Sequence, residues 1–363
     1  MGPEQLNQLL KVGVEHGASD IHFKVGSPPS YRVHGQLRNL KSEKLMPAET
    51  LALAEALIRS GEERRSLTEL HEYDTSYSVP GVARFRVNIF RQRGTLSCIL
   101  HVIPREVPTA ESLGLPDPVI QIAQEERGLV LVTGAAGAGK SSTLSAMIDH
   151  INRHRNVHVL TIEDPIEFLH RNEVASISQR ELGIDTANYK TAMRAALRQD
   201  PDVIMLSDLN ERETLDIAMK SAEMGRLVLS STHTTDALKT VNALLAMYSS
   251  EEQPTVRQRL ADNLRGVVCQ QLAPRRDGQG RALIAEVMTA TPTIRDYIRD
   301  PERTQGIRTA IEDASETEGM QTFDQHLVQL VREKVISLET ARGFASSEAD
   351  LRRAIQFERY SKA

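Results

Sequence analysis

Apolar positions recur along the chain in two different rhythms. In the first hundred residues Leu6, Leu9, Leu10 and Val14 fall at helical spacing, and Asp20-Ile-His-Phe-Lys-Val25 and Ser30-Tyr-Arg-Val-His34 then alternate as strands around Pro28-Pro29. A helix is expected from Ala48 to Ser60, stopped by Gly61. Strands Thr75–Val79 and Ala83–Phe90 follow, joined at Pro80-Gly81 as a hairpin, and a last strand, Leu96–Ile103, stops at Pro104. Residues 1–103 therefore read as an α+β domain. Between Pro104 and Pro118, four prolines and one glycine break any periodicity, so 104–118 reads as a semi-rigid linker.

From Val119 on the rhythm changes. Leu129–Val132, Val157–Ile162, Val203–Leu206 and Leu227–Ser230 are short continuous apolar runs separated by helical patterns, which predicts an α/β domain with a parallel sheet over 119–290. After the fourth run the pattern reads as helical, with Asp236 and Thr255 as N-caps, before a last apolar strand at Arg281–Met288. The region 291–363 is expected to be a polar helical tail, with helices at Thr293–Arg299, Phe323–Val331 and Glu348–Glu358.

Composition narrows the class. The 363 residues suit about two domains, and 40% hydrophobic with 26% charged residues is ordinary for a globular chain. No apolar run approaches the roughly 18 residues that cross a bilayer, and the first residues carry neither a basic leader nor a myristoylation pattern, so a cytoplasmic location is expected. The two cysteines, Cys98 and Cys269, cannot frame a disulfide scaffold or a four-cysteine zinc site, and are read as small buried residues. A net charge of −5 and the absence of tryptophan disfavour a nucleic-acid translocase, which needs a basic face and stacking aromatics.

The most specific chemistry lies between the first strand and the next helix of the second domain. Gly134-Ala135-Ala136-Gly137-Ala138-Gly139-Lys140-Ser141 has the spacing G-x-x-x-x-G-K-S, and Ser142 follows it. Glycines let backbone amides wrap a polyphosphate, Lys140 reaches the terminal phosphates, and the Ser141 hydroxyl can ligate magnesium. Each later apolar run ends in polar residues: Glu163-Asp164, Ser207-Asp208 and Ser231-Thr-His-Thr234. Ligands of open α/β sheets bind beyond the carboxyl ends of the strands, so these tips and the loop should converge on one crevice. There Asp208 is placed to hold magnesium, Glu163 to polarise the attacking water, and His233 to sense the γ-phosphate. A strand-tip histidine can equally be structural. In the first domain Arg84, Arg86, Arg91 and Arg93 occupy ten residues with no acid. They read either as a strand edge blunted by charge or as fingers for a phosphate.

Together these residues resemble the type IV pilus retraction ATPases, the PilT and PilU group of the secretion ATPase superfamily. The resemblance spans nearly the whole chain. It includes Gly17-Ala-Ser-Asp-Ile-His22, Pro28-Pro-Ser-Tyr-Arg-Val-His-Gly35, Arg84-Phe-Arg-Val-Asn88 and the phosphate loop. It continues with Thr161-Ile-Glu-Asp-Pro-Ile-Glu-Phe168 as an Asp box, Asp200-Pro-Asp-Val-Ile204 before the Walker B end, Thr232-His-Thr234 as a His box, Ile294-Arg-Asp-Tyr-Ile-Arg299 and Met320-Gln-Thr-Phe-Asp-Gln325. It implies a homo-hexameric ring of PAS-like N-terminal and RecA-like P-loop ATPase domains, using ATP and Mg2+, that works on an inner-membrane platform protein. It also implies a peripheral place at that membrane through the pilus machine, and possible pairing with a paralogous retraction ATPase. Carried residue by residue, Glu163 is the general base, His233 contacts the phosphates, and Arg84, Arg86 and Arg93 are the fingers. No extra N-terminal domain or four-cysteine zinc cluster is evident, which sets the chain apart from extension and type II secretion members.

Two departures from that pattern matter. Ser207-Asp208-Leu209-Asn210 stands where the family commonly has Gly-Glu-Met-Arg, and Ala135-Ala136 where it has Pro-Thr. The shorter Asp208 displaces its carboxylate by about 1 Å, enough to slow chemistry on the order of 100-fold. A rival reading is therefore an ATP-binding accessory subunit with weak hydrolysis.

Overall fold

The computed structural model describes residues 2–33, 35–58, 67, 70–104, 106–314 and 319–361. The chain divides into two compact units, Met1–Glu106 with Pro165–Leu169, and Val107–Asp164 with His170–Ala363.

The first unit is an antiparallel sheet carrying helices Pro3–Glu15 and Pro47–Leu57. Its strands are β1 (Ala18–Phe23), β2 (Ser30–Val33), β3 (Gln36–Asn39), β4 (Glu72–Val79), β5 (Ala83–Gln92) and β6 (Thr95–Ile103), in the order β3-β2-β1-β6-β5-β4. Leu6 and Leu10 of the first helix and Leu53 and Leu57 of the second are buried with Ile21, Phe23, Phe85, Val87, Ile89 and Leu100. Strand alternation puts Phe85, Val87 and Ile89 of β5 in this core and leaves Arg84 and Arg86 on the other face. The expected helix end at Ser60-Gly61 lies outside the described residues, as do His34 at the end of the second expected strand and Arg105 in the expected linker. β3 was not anticipated, because all four of its residues are exposed and carry no apolar alternation.

The second unit is a seven-stranded sheet made of β7 (Gly128–Gly134), β8 (His158–Glu163), β9 (Ser176–Glu181), β10 (Val203–Leu206), β11 (Leu227–Thr232), β12 (Leu264–Pro274) and β13 (Arg281–Thr289). The order is β13-β12-β7-β11-β10-β8-β9, with every pair parallel except β12 with β13. The expected parallel sheet is observed, with one antiparallel pair at its edge, where residues 275–280 are too few for a crossover and allow only an antiparallel return. β12 replaces part of the expected helical stretch. It is buried on both faces at Gly266–Cys269, so it lacks the alternation that marks a half-buried strand. Asp236 caps helix Ala237–Ala246 as expected, accepting from Lys239 N. Thr255 does not cap the next helix, which begins at Gln253 with Pro254 in its first turn.

Helices cover both faces of this sheet. The tail helices Phe323–Arg332, Leu338–Arg342 and Glu348–Ser361 lay Leu327, Leu330, Ala341 and Leu351 against Ala273, Ala282 and Ile284 of β12 and β13. Cys98 and Cys269 are both buried and free. No helix among the described residues is long and apolar enough to cross a membrane.

Candidate active site

β7 is buried along its whole length and delivers the chain to a loop that begins at Gly134. Gly134 adopts φ 148°, and a Cβ there would sit 2.6 Å from the Gln270 carbonyl oxygen on β12. Gly139, with φ 88°, opens helix Lys140–His154 without any side-chain cap. The first amides of that helix therefore point at whatever anion the loop holds. Lys140 folds back over the loop, its Nζ donating to Gly134 O at 2.8 Å and Ala135 O at 3.2 Å. Arg281, at the start of β13, donates to Gly137 O at 3.4 Å. One flank of the loop borders a cleft of about 370 Å³ that also touches Gln270, Arg281 and Phe344.

The sheet order sets the three polar tips beside this loop. β11 neighbours β7, β10 neighbours β11, and β8 neighbours β10. Lys140 Nζ lies 3.4 Å from His233 Nδ1 just past β11, and His233 Nε2 lies 3.5 Å from Asp208 Oδ2 just past β10. Asp208 is held by its own turn, Oδ1 accepting from Leu209 N at 3.0 Å and Oδ2 from the Asn210 amide. Glu163 ends β8 at 6% exposure, with Oε1 accepting from Thr161 Oγ1 at 2.6 Å and from Gln179 Nε2 at 2.9 Å. Asp164 N donates to Ser207 Oγ at 3.0 Å, which ties the β8 and β10 tips together.

Tyr189, at the start of helix Tyr189–Ala196, faces the same tips. Burial pushes its hydroxyl up to about 12, a hydrogen bond with Ser207 pulls the other way, and the charges of Asp164, Asp208 and Glu163 add to the rise. Behind His233, the Thr234 hydroxyl shares hydrogen bonds with Thr232 at 3.1 Å and Thr240 at 2.6 Å. Glu286 on β13 accepts from Ala237 N at 2.8 Å, and burial raises its carboxyl above the ordinary value.

The loop from Gly134 to Ser142, Glu163, Asp208 and His233 thus share the carboxyl edge of one sheet. Arg84, Arg86 and Arg93 belong to the other unit. Arg84 Nη2 donates to Ser76 Oγ at 2.8 Å, Arg86 is exposed, and Arg93 turns the β5–β6 hairpin at φ 50°. Arg91 is set apart from them, because its guanidinium donates to the carbonyls of Leu67, Leu70 and Gly94. Gln179, Tyr189, Arg281 and Glu286 carry no motif and were missed. Only the fold brings them to the loop and the tips.

The residues fit a magnesium nucleotide. A loop with uncapped amides and a lysine suits phosphates, and a hydroxyl and a carboxylate are hard oxygen donors of the kind magnesium takes in ones and twos. A family model described as "Type II/IV secretion system protein" matches residues 115–343. The chain belongs to this family.

Other members share most of its length. The type IV pilus retraction ATPase PilT of Pseudomonas aeruginosa is 40% identical over 337 residues, covering 93% of this chain and 97% of that protein. The type IV pilus ATPase PilU of the same organism is 37% identical over 359 residues, covering 99% and 93%. A crystal structure of the pilus retraction motor PilT with bound ADP matches with a TM-score of 0.87 at 37% identity, covering 96% of this chain and 99% of that one. The α/β architecture is thus that of a secretion-family ATPase.

Proposed function

We propose that this chain is the ATP-hydrolysing motor subunit of type IV pilus retraction, acting as a homo-hexamer on an inner-membrane platform protein from the cytoplasmic side. A paralogous retraction ATPase is a further partner. The observation that carries the reading is the row of Lys140, His233, Asp208 and Glu163 along four neighbouring strands. The names of its relatives, a retraction ATPase and a pilus ATPase, support the pilus as the load.

In this reading Lys140 and the amides of 134–142 bind the ATP phosphates. Glu163 takes the proton of a water as its oxygen bonds to the γ-phosphorus. The bond from that phosphorus to the β–γ bridging oxygen breaks, leaving ADP and phosphate. His233 contacts the γ-phosphate, and Arg84, Arg86 and Arg93 offer guanidinium groups to phosphate oxygens as charge builds. Magnesium, held through Ser141 and Asp208, supplies positive charge to the phosphates.

Steady-state Mg-ATP hydrolysis by the purified protein tests this. Wild type should turn over, and Glu163→Gln should lose at least about 100-fold. Equal turnover in the two would remove Glu163 from the chemistry. One observation favours a second reading, an accessory subunit with weak hydrolysis: Asp208 is short and engaged by its own turn. If wild type is nearly silent and Asp208→Glu restores turnover, the accessory reading replaces the motor.

A further inference from the structure

The carboxylate of Glu163 is held at one oxygen by two side chains from adjacent strands. Thr161, two residues earlier on the same face of β8, donates to Oε1 at 2.6 Å, and Gln179 donates to the same oxygen at 2.9 Å. Gln179 comes from β9, the edge strand, where the parallel register sets it against Thr161. The two donors therefore sit side by side on adjacent strands and meet at one oxygen.

The amide of Gln179 has a fixed sense. Its Oε1 accepts the backbone N–H of His170 at 2.9 Å. A backbone N–H can only donate, so the carbonyl end must face His170 and the NH2 end must face Glu163. Two donors on one oxygen fix the plane of the carboxylate, and with it the directions of the lone pairs on both oxygens. Glu163 is only 6% exposed, so these two donors also give its buried oxygen the hydrogen bonds that burial would otherwise deny it.

We propose that Gln179 is a positioning residue for hydrolysis, clamped by the His170 amide and holding the Glu163 carboxylate in the orientation that accepts the proton of the attacking water. The proposal rests on Glu163 as that acceptor. Gln179 touches neither nucleotide nor water in this scheme. It acts through Glu163, so its removal should lower the rate of the chemical step and leave nucleotide binding alone.

Gln179→Met keeps the length and volume of the side chain and removes the amide. In the full-length assembled protein, single-turnover hydrolysis of radiolabelled Mg-ATP should slow by about 10- to 100-fold, the scale of a misplaced reacting group. Affinity for a fluorescent ATP analogue and the melting temperature should stay near those of wild type. On a Glu163→Gln background the same change should have little further effect, because the group it positions is gone. Gln179→Asn, whose amide is one methylene too short to reach both partners, carries the same expectation should the methionine variant melt early. A wild-type rate in both Gln179 variants, with Glu163→Gln inactive, overturns the positioning role and leaves Glu163 standing. An equal loss on both backgrounds also overturns it, since Gln179 would then act elsewhere. A wild-type rate in Glu163→Gln overturns both assignments.

Discussion

His233 stands between the phosphate loop and the β10 tip, its Nε2 3.5 Å from Asp208 Oδ2 while its Nδ1 lies 3.4 Å from Lys140 Nζ. A ring with one nitrogen toward each of these charges will feel any anion that enters between them. His233→Ala is therefore expected to weaken ATP by about 10-fold while leaving ADP within about twofold, the scale of one hydrogen bond to a charged group. Competitive titration of a fluorescent nucleotide checks it. An equal loss for both nucleotides would return His233 to a structural role.

Lys140 is more exposed to test, because its ammonium rests on the Gly134 and Ala135 carbonyls and supports no part of the core. Lys140→Ala should cut turnover by at least about 100-fold, as loss of a phosphate-stabilising cation does. Its melting temperature in the absence of nucleotide should be unchanged. Retained turnover would dismiss the loop as the nucleotide site.

The loop glycines are not equivalent, and the difference is measurable. A Cβ at Gly134 meets the Gln270 carbonyl at 2.6 Å, whereas one at Gly137 meets nothing within 4 Å. Gly137→Ala should then cost only its left-handed backbone, about 1–2 kcal/mol. Gly134→Ala should cost more, because β7 must move away from β12 and the loop with it. Chemical denaturation of the two variants compares them directly, and equal losses would contradict the close approach.

The phosphate loop and the three tips were legible because each parallel strand is a short buried run that ends abruptly in polar residues. Leu206 followed by Ser207-Asp208 is such a boundary, and Val203–Leu206 matches the observed strand. β12 was hidden by the same physics: burial of Gly266, Val267, Val268 and Cys269 erases the alternation a reader looks for. β9 was hidden for the opposite reason, since Ser176–Glu181 is an edge strand built mostly of polar residues. Gln179 is on that strand, so its contact with Glu163 follows from a strand pairing and not from any local pattern. The arginines show a further limit. Arg91 and Arg93 look alike in sequence, yet one ties loop carbonyls and the other occupies a turn.

Two histidines, His326 buried and His170 half-buried, make the second unit sensitive to acid. Burial drives His170 and His326 down to about 4 from the ordinary 6.5. His326 Nδ1 accepts from Ala285 N at 2.9 Å on β13, so a proton on that nitrogen would set two donors against each other. In the unfolded chain both rings take up a proton near 6.5, whereas in the folded chain they resist until about 4. The unfolded state thus binds more protons throughout that window, and stability must fall as pH drops through it. The contribution is fully present above the unfolded value and is lost toward the folded one, at up to roughly 3 kcal/mol for each ring. His326→Asn places a carbonyl oxygen near the position of Nδ1 and cannot titrate. It should therefore keep the Ala285 hydrogen bond and flatten the loss of stability between pH 7 and pH 5 relative to wild type. Urea midpoints at the two pH values measure this difference, with carboxylate titrations common to both proteins cancelling. Identical slopes in wild type and variant would mean that His326 is not neutral in the fold or does not stay folded around its ring.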